Sequence, residues 1–324
     1  MREAILLTMI VFALPGAGVA QRNGAPQAQE HVSLTPRFVP GESFRYEMRF
    51  ENTISGSRTG FVADPQGPSQ LTLVWNTAIR LDVLPGEPHV PGGLCLRITY
   101  ESSSAEIHSD TFDPDAVSLQ DQYKKLAGKV IEFTLDRAGK VISVSGLEGI
   151  VEGEKSLELA RQWIAQLASG PGAPAGGVAV GQNWSTEERA ENLPIPGLVW
   201  RTESQYLRNE ACPQPNSDTA PVVVSTPSEP CAVILSHLNL IRPKSAENTA
   251  PQQQNGVETS GKWDGSGEGV NYVSLRTGML MNVTQSTTES MDVTFTTLHN
   301  DSLRYSGTTT SHSRVALVSS TSAL

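Results

Sequence analysis

Apolar and polar residues alternate along residues 71–84 (LTLVWNTAIRLDVL). Leu71, Leu73, Trp75, Thr77, Ile79, Leu81 and Val83 share one parity, and Thr72, Asn76, Arg80 and Asp82 share the other. A period of two marks a strand with one face buried. The same alternation predicts a strand over 43–51, with Phe44, Tyr46, Met48 and Phe50 on one face, and another over 94–100, with Leu94, Leu96, Ile98 and Tyr100. Residues 56–69 and 85–93 read as loops, the second carrying three prolines and three glycines. The stretch 101–127 is polar and weakly patterned. Beyond it, 130–136 (VIEFTLD) and 140–145 (KVISVS) flank a short turn ending in Gly139, which predicts a hairpin.

The period then changes. Leu157, Ala160, Ile164 and Leu167 recur at steps of three and four, with Trp163 beside them, and Gly170-Pro171 ends the run. This spacing predicts one helix within 147–170, followed by a glycine- and proline-rich linker over 171–180. After the linker the order of features returns. Gly181-Gln182-Asn183-Trp184 follows the pattern of Gly41-Glu42-Ser43-Phe44, and Leu198-Val199-Trp200-Arg201-Thr202 that of Leu73-Val74-Trp75-Asn76-Thr77. Cys231 heads a strand as Cys95 does, and 273–283 matches the hairpin at 133–144. Four matches in one order predict a duplicated unit. The expected fold is therefore mainly β: two homologous antiparallel units, 38–146 and 181–297, forming curved sheets or a half-barrel and joined by one α-helix. A tail at 298–324 adds strand.

Residues 1–20 carry Arg2, an apolar run and a small-residue ending at Ala20, the pattern of a signal peptide cleaved after Ala20. The run of about eleven residues is shorter than the ~20 a spanning helix needs, so no stable membrane span is expected. A flexible lead is expected over 21–37, and the destination is periplasmic or extracellular. Removing Arg2 and Glu3 with that segment leaves 23 basic against 33 acidic residues, so the net charge of -10 is unchanged. An acidic surface repels phosphate backbones, which excludes nucleic acid as the expected partner.

Three cysteines leave one odd. A Cys212–Cys231 disulfide closing the intervening proline-rich loop is the first expectation, and a Cys95–Cys231 bridge is the alternative. The six histidines show no metal-ligand spacing. His108-Ser109-Asp110 has triad chemistry, but neighbours on a strand point to opposite faces. Asp264, Ser266 and Glu268 alternate as calcium ligands do, without the acid that completes such a loop, and the stretch reads as a glycine-loosened entry to a strand over 270–275. No cofactor, metal or catalytic set is expected. Trp75, Trp163 and Trp200 either fill a core or line an apolar cavity between sheets.

The order PGE-F strand, LVW strand, D-x-x-G hairpin, helix, GQNW and a cysteine-bearing hairpin resembles secreted bacterial β-proteins grouped as domains of unknown function. In architecture it is similar to periplasmic lipoprotein-carrier half-barrels. That resemblance implies an exported, non-enzymatic protein holding a lipid or other apolar molecule. An envelope structural or protein-interaction module with a filled core is the alternative, and a hydrolase the third.

Overall fold

A computed structural model describes residues 31–61, 69–85, 93–110, 114–136, 139–150, 157, 172–190, 193–213, 229–243, 252–254, 257–297, 299 and 301–321. Strands β1 (Ser43–Gly60), β2 (Ser69–Pro85), β3 (Leu94–Ser109), β4 (Val130–Leu135) and β5 (Val141–Ser145) come first, with helix α1 (Pro114–Lys124) between β3 and β4. They are followed by β6 (Asn183–Arg189), β7 (Val199–Ala211), β8 (Pro230–Ile241), β9 (Gln252–Gln254), β10 (Val257–Ser274), β11 (Leu280–Thr297) and β12 (Ser302–Thr321). All twelve belong to one curved, open sheet. Its order is β5-β4-β3-β2-β1-β12-β11-β10-β8-β7-β6, with β9 paired to β10 off that path.

The two runs of strands thus share a single sheet, and β12 lies between them. Each predicted counterpart sits six places along this order from its match: β1 and β6, β2 and β7, β3 and β8, β4 and β10, β5 and β11. Every pairing on the path is antiparallel, so an even spacing makes the counterparts run in the same direction. The rung Cys95–Thr134 between β3 and β4 returns as Cys231–Ser274 between β8 and β10.

Directly paired residues project from the same face of a sheet. Following the rungs from Trp75 through Phe50, Ser313, Gln285, Gly269 and Ser236 leads to Ser204, four residues after Trp200. Trp75 and Trp200 therefore lie on one face, here called the inner face. Away from Cys231 and Val233, which are buried, the opposite face is charged and solvated: Arg45 meets Glu101 at 2.6 Å, Arg97 meets Glu132 at 2.6 Å and Arg304 meets Asp292 at 2.6 Å. Such exposed pairs contribute little to stability but keep this face wet.

Three apolar clusters occupy the inner face. The largest joins β1–β5 to Val315 and Leu317 of β12 and is covered by Tyr123 of α1. The second gathers Trp200, Leu238, Leu240 and Val293 beneath Leu193, Ile195 and Leu198. The third packs Trp184, Tyr206 and Ile234 against Leu34 and Val178.

Several expectations need revision. The stretch 101–127 is not featureless, because β3 continues to Ser109 and α1 follows. The first strand runs on to Gly60 instead of stopping at residue 51. Residues 263–269 are no loosened strand entry but the middle of the 18-residue β10. Glycine is accepted there because neighbours take the space of the missing side chains. Trp200 covers Gly265, and Thr287 covers Gly267. The part of the supposed flexible lead that is described, 31–37, packs: Val32 bridges Val178, and Leu34 is buried. The signal segment 1–20 lies outside the described residues. So does the helix expected within 147–170, apart from a short 3-10 turn at Leu147–Gly149 and Leu157, which is helical and packs on the largest cluster.

Candidate functional site

On β1 the apolar parity Phe44, Tyr46, Met48, Phe50 continues into Asn52. On β11 the parity that carries Val283, Met291, Val293 and Phe295 also carries Glu289. Both polar side chains are thereby turned inward. Asn52 is 3% exposed and Glu289 4%, and Glu289 is the one ionised type among the buried described residues, with no buried lysine, arginine or histidine. Between them runs β12, where Ser311 pairs with Asn52 on one side and with Thr287 on the other, and Thr309 pairs with Glu289. The result is a polar patch two rungs deep across three adjacent strands.

Its hydrogen bonds are incomplete. Ser311 Oγ donates to Asn52 Oδ1 at 2.9 Å, while Asn52 Nδ2 is buried with no partner. Glu289 accepts from Trp263 Nε1 at 2.8 Å. Burial pushes the Glu289 carboxyl above the usual carboxylate range, and the Trp263 hydrogen bond partly opposes that rise. A carboxyl that holds its proton more tightly when folded contributes most below the ordinary glutamate value of 4.5, and that contribution is lost as pH rises through the raised value. Glu289→Gln keeps an acceptor for Trp263 and removes the titration. Thermal melts from acid to mildly alkaline pH are expected to show a higher midpoint for the variant at the alkaline end and a flatter pH slope. A wild-type slope left intact by the substitution contradicts the assignment.

Apolar walls flank the patch. On the β1–β2 side Phe50 stacks on Trp75, ring centroids 5.0 Å apart, and Tyr123 meets the same indole at 5.2 Å. Trp75 Nε1 donates to Ser103 Oγ at 2.9 Å. On the β10 side stand Trp263, Met291 and, across Gly265, Trp200. Of the three tryptophans singled out from sequence, Trp75 and Trp200 share this face but belong to different clusters, and Trp163 lies outside the described residues.

Cys212 and Cys231 form the disulfide, and Cys95 stands apart from it, which disposes of the Cys95–Cys231 alternative. His108 and Asp110 of the His108-Ser109-Asp110 run each have a partner outside it. His108 is exposed and 4.0 Å from Glu106, while Asp110 Oδ1 accepts from the backbone N–H of Gln70. No helix among the described residues is long and apolar enough to cross a membrane.

No family model and no curated protein matches the chain. Among solved structures, lipovitellin, in a study of its lipid–protein interactions, superposes with a TM-score of 0.43 at 11% identity over 89% of this chain. The chain spans 26% of the lipovitellin chain's length. An outer membrane channel from Pseudomonas putida F1 gives a TM-score of 0.22 at 7% identity, covering 90% of this chain and all of that one. Neither superposition is close enough to define a shared fold.

Proposed function

We propose that this is an exported, non-enzymatic protein that holds a lipid-like, apolar molecule against the inner face of its sheet. The observation that carries the reading is the inner face itself. It is apolar at both ends and carries several indole rings, and no cation is buried there among the described residues, while the sheet stays open at its β5 and β6 edges instead of closing on itself. A curved sheet that does not close on itself has edges by which an apolar molecule can reach its inner face, and apolar side chains line most small-molecule sites. The disulfide fits an oxidising compartment outside the cytoplasm.

The test is direct. Protein purified from its producing cells without detergent is extracted with chloroform and methanol, and the extract is weighed by mass spectrometry against protein. About one lipid per chain is expected, on the single-pocket scale of such sites. An extract free of lipid, from protein that also fails to take up added lipid, sinks the reading in favour of an interaction module with a filled core.

A further inference from the structure

Resting on that reading, we propose that the patch of Asn52, Ser311 and Glu289 receives the polar head of the bound molecule, and that this head is uncharged, of the ester-and-hydroxyl kind carried by a monoacylglycerol. Three observations converge on it.

The first is the orphaned amide. Asn52 is almost wholly buried, and one of its two amide atoms has no partner. Ser311 satisfies only the other, and turning the amide over would merely exchange which atom is left. Buried polar groups without partners are uncommon, because each loses its hydration with nothing in return. A ligand atom that hydrogen-bonds here restores the missing partner.

The second is position. The patch lies on the three strands at the middle of the sheet order, with aromatic side chains on both sides: Phe50 on β1 and Trp75 on β2, Trp263 on β10 and Trp200 on β7. An amphiphile whose head sits at this patch has apolar side chains on either side against which its chain would pack.

The third is charge. The one buried acid on the face is Glu289, and no buried lysine, arginine or histidine stands near it among the described residues. An anionic head would enter a site of low polarity beside a carboxyl with nothing to neutralise it, at a large desolvation cost. An uncharged ester or hydroxyl meets no such penalty. The patch therefore selects neutral amphiphiles over fatty acids of the same chain length.

Isothermal titration calorimetry of the delipidated full chain with monooleoylglycerol and with oleate, at mildly alkaline pH, separates the cases. Monooleoylglycerol is expected to bind at least about tenfold more tightly, the effect of 1.4 kcal/mol. Asn52→Leu is expected to weaken monooleoylglycerol about fivefold to tenfold, the worth of one net hydrogen bond, and to leave oleate unaffected. Glu289→Gln, which keeps the Trp263 hydrogen bond, is expected to narrow the gap by improving oleate binding. Equal affinity for the two lipids, tighter binding of oleate, or an Asn52→Leu protein that folds and binds monooleoylglycerol like the wild type each overturns the head-group assignment while leaving the apolar-ligand reading in place. Binding of neither lipid overturns both.

Discussion

Replacing Trp75 with alanine is expected to cost about 3–5 kcal/mol of stability, the range found when a buried aromatic site is emptied. The ring is 4% exposed, stacked on Phe50 and touched by Tyr123. Its loss therefore opens a cavity where β1, β2 and α1 meet. It also takes away the indole N–H that Ser103, itself buried, accepts. Because Tyr123 anchors α1 through this contact, the helix is expected to loosen before the sheet does. Urea unfolding followed by circular dichroism gives the size of the effect, and hydrogen exchange over 114–124 gives its location. A loss below about 1 kcal/mol, the level of an ordinary surface change, contradicts the packing described. Trp75→Phe keeps most of the ring area and is expected to recover much of the loss.

The second large effect is expected at the disulfide. Cys212 and Cys231 are 19 residues apart in sequence, and the cross-link holds the end of β7 to the start of β8. By the loop-entropy relation, a closed loop of this length stabilises by about 3 kcal/mol. Cys231 lies within β8 and Cys212 directly after the end of β7. Cys231 is fully buried and paired with Glu210 and Ser274, and the Cys212 N–H donates to the Glu229 carbonyl at 2.8 Å. Changing both to alanine is therefore expected to lower the unfolding midpoint. Added reductant is expected to lower the wild-type midpoint towards that of the double variant and to leave the variant itself unmoved. A reductant effect of equal size in both proteins contradicts the claim.

Much of the sheet was legible because one of its faces is buried and the other solvated, which writes a period of two into the chain. This gave β2, β4, β5 and the apolar parity of β1 and β3. The pattern fails where that contrast fails. In β10 the inward positions 261, 265, 267 and 269 are glycines, so neither parity looks apolar, and the space vacated at 265 and 267 is filled by Trp200 and Thr287 from elsewhere in the chain. Among the described side chains of helix α1, Leu119 and Tyr123 reach the core, and the polar residues around them leave too thin a stripe for its period to show. The candidate site was written in the sequence as a breach of the rule, with Asn52 and Glu289 on the apolar parity of their strands. Asn52 follows directly on the run 43–51 and reads as its polar end, and Glu289, a lone acid in a threonine-rich run, looks like surface. Trp75 and Trp200, which the shared LVW motif pairs, both lie on the inner face. What their shared motif could not convey is their neighbours: Trp75 lies opposite Phe50 and Ala105, Trp200 opposite Glu188 and Leu240.

The join at the centre of the sheet has a consequence for the birth of the molecule. Among the described strands β1 comes first and β12 last, yet the two pair from Ser43–Thr321 to Gly60–Leu303. During synthesis the first five strands emerge with one side of β1 uncovered, and they wait for the remainder of the polypeptide before that seam can be sewn. Contacts so distant in sequence form slowly. An exposed strand flank in the meantime invites pairing with other chains, so this protein is expected to depend on holding factors while it matures, more than one whose sheet grows in the order it is made.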